Sequence, residues 1–487
     1  MTQSEIVRLA LWRCLASTAA AVIAVLLVRI TAVAGASIVG SGTPESCTET
    51  ALDEALVGGG PVTFTCGTEP MTITISSTKV IAVATAIDGG GRVTIGGSGT
   101  VRLFMVKSGA SLQISNLTLA NGYLADGAGA AVQVDGGTLT ITNSTLTGNR
   151  ATGGAGGAIF ASSGSTVTIT ASMLAGNLAN AQAGGIYNDG GTVTITNSTL
   201  THNGSSHSGG GIGAGSGSIT IINSTLAGNF CSEGGGAIQV GRGDVTVVNS
   251  TLAGNSAGGG GGIYIYGYAP NLVTLINSTL AGNRDSYNLG GGIHNEGHLT
   301  LVNTLIAGTS PGGHCQNTAS GTTTDGGHNL IEDAANACGI TNGVNGNIVG
   351  IDPMLDSVGL ADHGGPTQTI ALLANGPAVA AGDQAVCATP PVDAIDQRGY
   401  LRPGTDAVAC CIGSYEYNAS GPPGSCVGDC SSDGEVTVDE LITMVNIALG
   451  TANVGTCTAG DGNGDGEITI DEIVTGVNYA LNQCPGR

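Results

Sequence analysis

The sequence predicts an all-β chain built as a parallel β-helix, a coil of short stacked strands, followed by a small helical domain. A phrase of twelve residues recurs between residues 112 and 310 at steps of 26 or 28 residues, and within it threonines alternate with aliphatic residues. Alternation with a period of two is typical of a half-buried strand, and a repeat of this length is typical of a solenoid. Composition agrees, because 85 of the 487 residues are glycine and only 3% are aromatic.

The repeat also predicts how successive turns stack. One asparagine column precedes Ser-Thr-Leu, and we expect its side chains to form a hydrogen-bonded ladder. A second column is expected to occupy turns, where asparagine tolerates a left-handed backbone. Glycine pairs before an aliphatic strand predict tight corners. The first column is Asn143, Asn197, Asn223, Asn249 and Asn277, the second is Asn149, Asn177, Asn203, Asn229, Asn255 and Asn283, and the corners lie at 156–159, 209–212, 235–238 and 290–293.

At these positions the sequence resembles the polymorphic outer-membrane repeat, whose paired motifs are Gly-Gly-Ala-Ile and Phe-x-x-Asn. Here leucine replaces phenylalanine, as in Leu252-Ala-Gly-Asn255. The resemblance covers about 170 residues of the chain. It implies a right-handed parallel β-helix, the pectin-lyase-like solenoid, displayed at a cell surface.

The first 36 residues have the pattern of a secretion signal. Arg8 and Arg13 precede an apolar run over 15–28, and small residues predict cleavage before Ser37. The alternative is an uncleaved anchor, for which this run is short, since about 20 apolar residues span a bilayer. We expect no membrane span after cleavage and a secreted, extracellular or cell-surface location. The formal net charge of −22 predicts repulsion of nucleic acid.

Thirteen cysteines agree with export. One lies in the signal, and the other twelve are an even number that can pair in an oxidising compartment. Proximity in the sequence predicts the disulfides Cys47–Cys66 and Cys315–Cys338, and a third between Cys387 and either Cys410 or Cys411. Three pairings are open for the four cysteines of the tail, which are Cys426, Cys430, Cys457 and Cys484.

Residues 37–111 are predicted to form an N-terminal cap and the first turns of the coil. Apolar residues at helical spacing over 48–57 predict a short helix, with Thr48 as its N-cap and a glycine run as its end. Such a helix would cover an exposed strand edge. This stretch and the following Ala86-Ile-Asp-Gly-Gly-Gly91 resemble the N-terminal cap of bacterial repeat proteins of the CSLREA-related kind.

After the repeats of 112–325, residues 326–417 are predicted to continue the β-helix and cap it, and 418–425 to be a linker. The block resembles the choice-of-anchor Q domain, which implies an attachment module beyond it and no enzymatic activity. Cys411 stands where that family has aspartate, and a Cys410–Cys411 disulfide could replace a lost hydrogen bond. The motifs are Gly327-His-Asn-Leu-Ile331, Asp352-Pro353, Gly364-Gly-Pro-Thr367, Asp396-Gln-Arg-Gly399 and Ile412-Gly-Ser-Tyr-Glu416.

The tail, residues 426–487, contains two twelve-residue loops whose spacing is typical of EF-hand calcium sites. Oxygen-bearing side chains stand at positions 1, 3, 5, 9 and 12, glycine at position 6 allows the sharp turn, and position 7 offers a backbone carbonyl. The expected cofactor is therefore calcium. The candidate ligands are Asp429, Ser431, Asp433, Glu435, Thr437 and Glu440 in the first loop, and Asp461, Asn463, Asp465, Glu467, Thr469 and Glu472 in the second.

Each loop leads into an apolar stretch with helical spacing, over 441–449 and 473–481. No comparable stretch precedes the first loop. Duplicated loop–helix units without entering helices resemble the dockerin type I module, which implies docking to a cohesin-like partner. The alternative is a calcium site that only folds the tail, whose ten acids and single arginine would otherwise repel one another.

No catalytic residue is predicted on the coil. Between 112 and 310 the only bases are Arg150, Arg242 and Arg284. The aspartates are isolated and favour solvated turns over the paired carboxylates of a glycosidase. Three tyrosines alternate at 264–268, a pattern that suits either strand packing or a surface stripe for sugar stacking. The aspartates are Asp126, Asp135, Asp189, Asp244 and Asp285.

These observations favour an exported, non-catalytic, calcium-binding β-helix protein. It would act at the cell surface or outside the cell in adhesion, or bind a polysaccharide or a cohesin-like protein. The alternative is a polysaccharide-degrading lyase or hydrolase of the pectin-lyase-like fold that carries a dockerin-type module.

Overall fold

The structure is a computed structural model that describes residues 36–268, 271–309, 313–405, 407–419, 426–431, 435–462, 467–482 and 484. The expected secretion signal, except Ala36, and most of the linker lie outside the described residues. The predicted parallel β-helix is confirmed. A repeating turn contributes up to four strand segments, each paired in parallel with its counterparts in the neighbouring turns.

The strand segments form four columns along the coil, named A to D in the order of one turn. Column A comprises Ser37–Val39, Gly60–Phe64, Thr85–Gly96, Ser111–Ala120, Thr138–Thr142, Thr166–Thr170, Ile186–Thr196, Ile212–Ile222, Asp244–Val248, Val273–Ile276, His298–Val302 and Thr322–Asp325. Column B comprises Met71–Thr74, the ends of Thr85–Gly96 and Ser111–Ala120, then Thr145–Thr147, Met173–Ala175, Thr199–Thr201, Thr225–Ala227, Thr251–Ala253, Thr279–Ala281, Leu305–Ala307, Leu330–Ile331 and Ile348–Val349.

Columns C and D complete the turn. Column C comprises Tyr123–Leu124, Arg150–Ala151, Leu178–Ala179, Gly204–Ser205, Phe230–Cys231, Ser256–Ala257 and Arg284–Asp285. Column D comprises Lys79–Ile81, Phe104–Val106, Val132–Val134, Ile159–Ala161, the starts of Ile186–Thr196 and Ile212–Ile222, then Ile238–Val240, Ile263–Ile265, Ile293–Asn295 and Cys315–Asn317.

The alternation of threonine and aliphatic residues builds the core. In Thr138–Thr142 the side chains of Leu139 and Ile141 are buried, whereas Thr138 is exposed. The same register recurs in the next turn, where Val167 pairs with Leu139 and Ile169 with Ile141. Because a register shift of one residue would turn every aliphatic side chain outward, the stack is strongly specified.

The two asparagine columns largely exchange their predicted roles, although Asn143 does donate to Asn116, and Asn303 to Asn277, at the position before Ser-Thr-Leu and its variants. The Ser-Thr-Leu column adopts the left-handed backbone, with φ between 45° and 50° from Asn143 to Asn303, and Ala171 adopts it as well. The second column forms the ladder. Asn203 is fully buried, its Nδ2 donates to Asn229 Oδ1 at 3.0 Å, and its Oδ1 accepts from Asn177 Nδ2 at 2.9 Å. The residue before each ladder asparagine, usually glycine, takes the turn conformation instead.

The predicted N-terminal helix is present as α1 (Glu49–Leu56), after a short 3₁₀ turn at Pro44–Ser46. Thr48 caps it by accepting the Ala51 amide. Leu52 is fully buried in the main core. Lys79, nearly buried, lies 2.6 Å from Glu49 Oε1 and 2.6 Å from Asp53 Oδ1, so two carboxylates fix the helix to the first turns.

Residues 351–417, named the fold-back segment, leave the last turn and lie against column B. An antiparallel pair, Leu355–Ala361 with Thr369–Leu372, begins the segment, and the one-turn helix α2 (Gln384–Cys387) follows. Gln397 bridges two turns: its Nε2 donates to Thr225 Oγ1 at 2.9 Å, and its Oε1 accepts from Thr251 Oγ1 at 2.6 Å.

Two buried ion pairs hold the fold-back segment together. Arg398 Nη2 lies 2.7 Å from Asp396 Oδ2, and Arg402 Nη1 lies 3.0 Å from Glu416 Oε2. Both Arg402 and Glu416 have fully buried side chains. The motifs Asp396-Gln-Arg-Gly399 and Ile412-Gly-Ser-Tyr-Glu416 are therefore joined, since the Glu416 amide also donates to Asp396 and its carbonyl accepts from Arg398.

The expected Cys410–Cys411 disulfide is wrong. Cys410 pairs with Cys387, and Cys411 is a buried free thiol. Burial raises its pKa to about 12. Cys231 is also free, so ten of the twelve cysteines form five disulfides. Cys47–Cys66 and Cys315–Cys338 are confirmed.

The tail contains α3 (Val438–Ala448) and α4 (Ile470–Asn482), separated by 3₁₀ turns at Val454–Thr456 and Thr458–Gly460. Both helices begin three residues earlier than the apolar spacing predicted. Thr437 and Glu440 form a capping box, which places the helix start inside the loop. In the part of the chain that the structure describes, no helix is long and apolar enough to cross a membrane.

Candidate functional site

The first calcium-type loop brings three of its predicted ligands together. The Ser431 hydroxyl donates to Asp429 Oδ1 at 3.3 Å, and the Ser431 amide donates to Glu440 Oε1 at 2.8 Å. Positions 1, 3 and 12 are therefore hydrogen-bonded neighbours. Burial raises the pKa of Glu440, and hydrogen bonds from the Thr437 and Ser431 amides lower it by more, so the pKa lies below its usual range.

The second loop repeats this arrangement around Glu472. The Thr469 amide donates to Glu472 Oε2 at 2.8 Å, and the Gly462 amide donates to Glu472 Oε1 at 2.8 Å. Position 12 thus reaches back to the start of the loop, as it does in the first copy. Thr469 also donates its hydroxyl to Glu472, which orients the carboxylate at the helix start.

The described half of each loop fits a calcium ion, because its donors are hard oxygens at the spacing that calcium requires. Asp433, Asn463 and Asp465 lie outside the described residues. Within the described residues, no group of three His, Cys, Asp or Glu side chains is close enough to hold a metal. Calcium binding remains a prediction.

The structure assigns one of the three possible disulfide pairings in the tail. Cys426 pairs with Cys484, and Cys430 with Cys457. Cys430 is position 2 of the first loop, so its disulfide ties that loop to the chain between the helices. Met444 and Ile468 are buried beside Cys457 in a small core.

The two tail helices expose matching apolar faces. Large aliphatic side chains stand at positions 10, 14, 17 and 21 counted from the first residue of each loop, a spacing that places them on one helix face. Their exposed fractions lie between 38% and 77%. The first stripe is Val438, Ile442, Val445 and Leu449, and the second is Ile470, Val474, Val477 and Leu481. Exposed apolar patches of this kind are typical of interaction sites.

On the coil, most of the isolated aspartates accept structural hydrogen bonds, either from the next repeat or within a local turn. Asp244 accepts the Leu272 amide at 3.0 Å, and Asp285, almost fully buried, accepts the Tyr287 amide at 2.6 Å. Arg150 and Arg284 both lie in column C with four strands between them. This separation is roughly 24 Å at the usual strand spacing, too far for both to act on one substrate group.

The alternating tyrosines form a continuous ring stack at the end of column D. Ring centroids of Tyr264 and Tyr266 are 4.4 Å apart, and those of Tyr266 and Tyr268 are 5.5 Å apart. Tyr264 donates its hydroxyl to Glu296 at 2.8 Å, and His294 Nε2 lies 3.2 Å from the same carboxylate oxygen. Burial, followed by the bond to Glu296, raises the pKa of Tyr264, so this phenol remains protonated at neutral pH.

Sequence reasoning missed Glu233 and Glu296, although they are the only glutamates between 112 and 310. Glu296 contacts the tyrosine stack directly. Glu233 lines a cavity of about 320 Å³ together with Tyr266 and Tyr268. The signal available in the sequence was their rarity in a region where most polar residues are threonine, serine or asparagine.

One of three comparisons with known proteins supports the fold. Residues 129–310 match the family model described as the right-handed beta helix region, which supports the predicted handedness. Among solved structures, the chain is similar to the crystal structure of pectate lyase Pel9A at 15% sequence identity and a TM-score of 0.42, over 76% of this chain and 90% of that chain. Nothing about activity follows from a similarity of this size. The comparison with curated proteins gave no match.

Proposed function

We propose that this protein is an exported, non-catalytic β-helix scaffold whose C-terminal module is folded by calcium and docks to a protein partner. The observation that carries the proposal is the pair of apolar stripes on α3 and α4. A domain as small as the tail has few aliphatic residues for its core, yet it leaves eight of them at the surface. Covering these side chains by a partner would remove apolar surface from water, worth about 25 cal/mol per Å².

The loops supply the reason why docking depends on calcium. Each helix begins at position 10 of a loop, and the first stripe residue, Val438 or Ile470, stands there. The Glu at position 12 lies in the first helical turn. Bound calcium would neutralise the clustered carboxylates, whose mutual repulsion otherwise opposes the fold. The position and angle of both stripes would then be set by the loaded loops.

Ion counting tests the calcium part of the proposal. Titration calorimetry of the mature protein should count two calcium ions, and Asp461→Ala should reduce the count to one. Asp439→Asn, which changes a carboxylate at a non-ligand position, is the control and should leave the count unchanged. Two ions in Asp461→Ala would show that the loop assignment is wrong.

Surface plasmon resonance with a cohesin-like domain tests docking. The double variant Ile442→Asp with Val474→Asp should weaken binding more than tenfold, because each aspartate places a charge in the centre of a stripe, and a calcium chelator should abolish binding. Val358→Asp is the control, since Val358 in the fold-back segment is as exposed as Val438. Unchanged binding by the double variant would contradict the proposed surface.

The non-catalytic part of the proposal rests on the coil. Arg150 and Arg284 lie far apart. Asp135, Asp189 and Asp244 accept hydrogen bonds from the next turn of the coil, and Asp285 accepts a local turn amide. Incubation with pectic and neutral polysaccharides should release neither reducing nor unsaturated ends. Release of either would favour the polysaccharide-degrading alternative.

A further inference from the structure

The outer face of column D contains a break in its row of side chains. The middle residue of each strand points away from the core, and at one turn this residue is Gly213. The ring of Tyr187, from the preceding turn, fills part of the break: a Cβ on Gly213 would lie 2.7 Å from Tyr187 Cδ2, and one on Gly215 would lie 2.5 Å from the Tyr187 hydroxyl. Two glycines therefore form a floor over which a tyrosine ring extends.

A second wall comes from two turns further along the coil. Tyr266 and Tyr268 stack with their rings 20° from parallel, and the Tyr266 hydroxyl lies 3.3 Å from Ser208 Oγ. Arg242 lies over Tyr268, 5.7 Å from the ring centroid. Between Tyr187 and this pair lies the cavity of about 320 Å³. Its volume is at the low end of small-ligand pockets, which span roughly 300–1,000 Å³.

The floor of this cavity contains an unsatisfied acceptor. Gln239 occupies the outward position of its strand and is 97% buried, since only 3% of its surface is accessible. Among the described residues, no donor lies within hydrogen-bonding distance of Gln239 Oε1. A buried amide oxygen without a donor costs about 1–3 kcal/mol, and because Gln239 lines the cavity, rotation of its amide towards the cavity would let a ligand hydroxyl supply the donor.

The charges of the cavity favour an uncharged ligand. Glu233 and Arg242 are its only charged lining residues, and they offset one another. An acidic polysaccharide would need an excess of cations, whereas between 112 and 310 the chain has three arginines and no lysine. Glu233 already contacts His207 Nδ1 at 3.0 Å and accepts from Ser208 Oγ at 3.3 Å, and the remaining lone pairs of its carboxylate can accept a ligand hydroxyl. Tyrosine faces can stack on the C–H face of a sugar ring.

We infer that this cavity, named the tyrosine cleft, is a binding site for an uncharged glycan. A sugar ring lies against Tyr268 and Tyr266, a sugar hydroxyl donates to Gln239 Oε1, and Glu233 and Arg242 contact further hydroxyls at the rim. The site lies on the coil and shares no residue with the calcium loops or the apolar stripes. Glycan binding is therefore independent of calcium and of partner docking.

Titration calorimetry of the mature full-length protein, in the presence of a calcium chelator, tests the tyrosine cleft. The probes are cello-, xylo- and manno-oligosaccharides, with oligogalacturonate as the acidic comparison. At least one neutral probe should bind, and more tightly than oligogalacturonate. Tyr268→Ala should weaken that binding about tenfold or more, because it removes the most exposed stacking face.

Three further variants separate binding from folding. Gln239→Leu keeps the size of the side chain and removes the acceptor, so it should weaken binding by about tenfold. Tyr268→Phe keeps the stacking face and should retain most of the affinity. Tyr287→Ala removes a tyrosine of similar exposure outside the cleft and should change nothing.

Three outcomes would overturn the inference. They are the absence of binding to every neutral probe, a preference for oligogalacturonate, or equal affinities for Tyr268→Ala, Gln239→Leu and the wild type. Failure of cohesin-like docking has no bearing on this result, because the chelator removes the calcium-dependent module from the measurement.

Discussion

The coil and the tail module stabilise themselves in different ways. Between residues 67 and 314 of the described chain, no disulfide is present, and each turn is held by in-register strand pairs and by the buried asparagine ladder. The tail has two disulfides within 59 residues, from Cys426 to Cys484. The remaining disulfides lie at the two ends of the coil and in the fold-back segment.

This difference shows where a repeating stack can support itself. A turn in the middle of the coil has a neighbour on each side, and each neighbour supplies hydrogen bonds and apolar contacts. The ends lack one neighbour, and the tail lacks a stack altogether. Small domains with little core depend on cross-links or metal ions, and cysteines stand at these places.

The largest effect is expected from breaking the internal packing of the fold-back segment. Arg402→Met leaves the fully buried carboxylate of Glu416 without its cation, which should cost about 3–5 kcal/mol. Chemical denaturation and limited proteolysis should show early release of residues 351–417. Arg150→Met, at an exposed arginine of column C, is the control. Equal protease resistance in both variants would contradict a locking role for this ion pair.

Removing a tail disulfide should affect the tail and leave the coil intact. The double variant Cys430→Ser with Cys457→Ser should destabilise the module by about 2–4 kcal/mol, since the closed loop restricts the unfolded chain. Calorimetry should show one transition moving down while the coil transition stays in place. Cys231→Ser, at a free cysteine of the coil, is the matched control. A shift of both transitions would mean that the two regions unfold together.

The ladder can be tested against the neighbouring asparagine column within the coil. Asn203→Ala removes the acceptor of the Asn177 backbone and side-chain amides and one of the two donors to Asn229 Oδ1, and it should cost about 1–3 kcal/mol. Asn197→Ala should cost less than about 1 kcal/mol, because Ala171 already occupies the equivalent left-handed position. Urea denaturation measures both. A larger loss for Asn197→Ala would reverse the roles assigned to the two columns.

The smallest effect is expected at the N-terminal end of the coil, where no preceding turn is stacked and the ion pair of Glu49 with Lys79 holds the cap helix. Burial raises the pKa of Glu49, but hydrogen bonds from Lys79 and Ser76 lower it by more. The pKa therefore falls from 4.5 to about 2. A carboxyl group whose pKa is lower in the folded state stabilises the fold above its unfolded pKa. The contribution of Glu49 is therefore complete above pH 4.5 and is lost as the pH falls towards 2.

The pair is partly exposed, and solvent screening limits its contribution to about 1 kcal/mol or less. Melting temperatures of wild type and Glu49→Gln should therefore differ at pH 6 and converge near pH 2. A constant difference across this range would show that Glu49 does not titrate with folding. Glu54→Gln, at an exposed glutamate of the same helix, is the control.

Much of the architecture was determined by the sequence alone, because it is encoded in contacts between equivalent residues of neighbouring repeats. The alternation in Thr138–Thr142 sets which side chains enter the core, and the repeat length sets the stack. The N-cap at Thr48 and the disulfides Cys47–Cys66 and Cys315–Cys338 follow from local spacing in the same way.

Other features were decided only by the tertiary structure, since they depend on residues distant in sequence. Which asparagine column forms the ladder depends on which corner has a left-handed backbone, and both columns have suitable sequences. Gln397 meets Thr225 and Thr251 only because the fold-back segment returns along column B. The tyrosine cleft combines Tyr187, Gln239 and Tyr268 from three different turns of the coil, and its opening is set by a missing side chain at Gly213 in a fourth turn. No local sequence pattern records that combination.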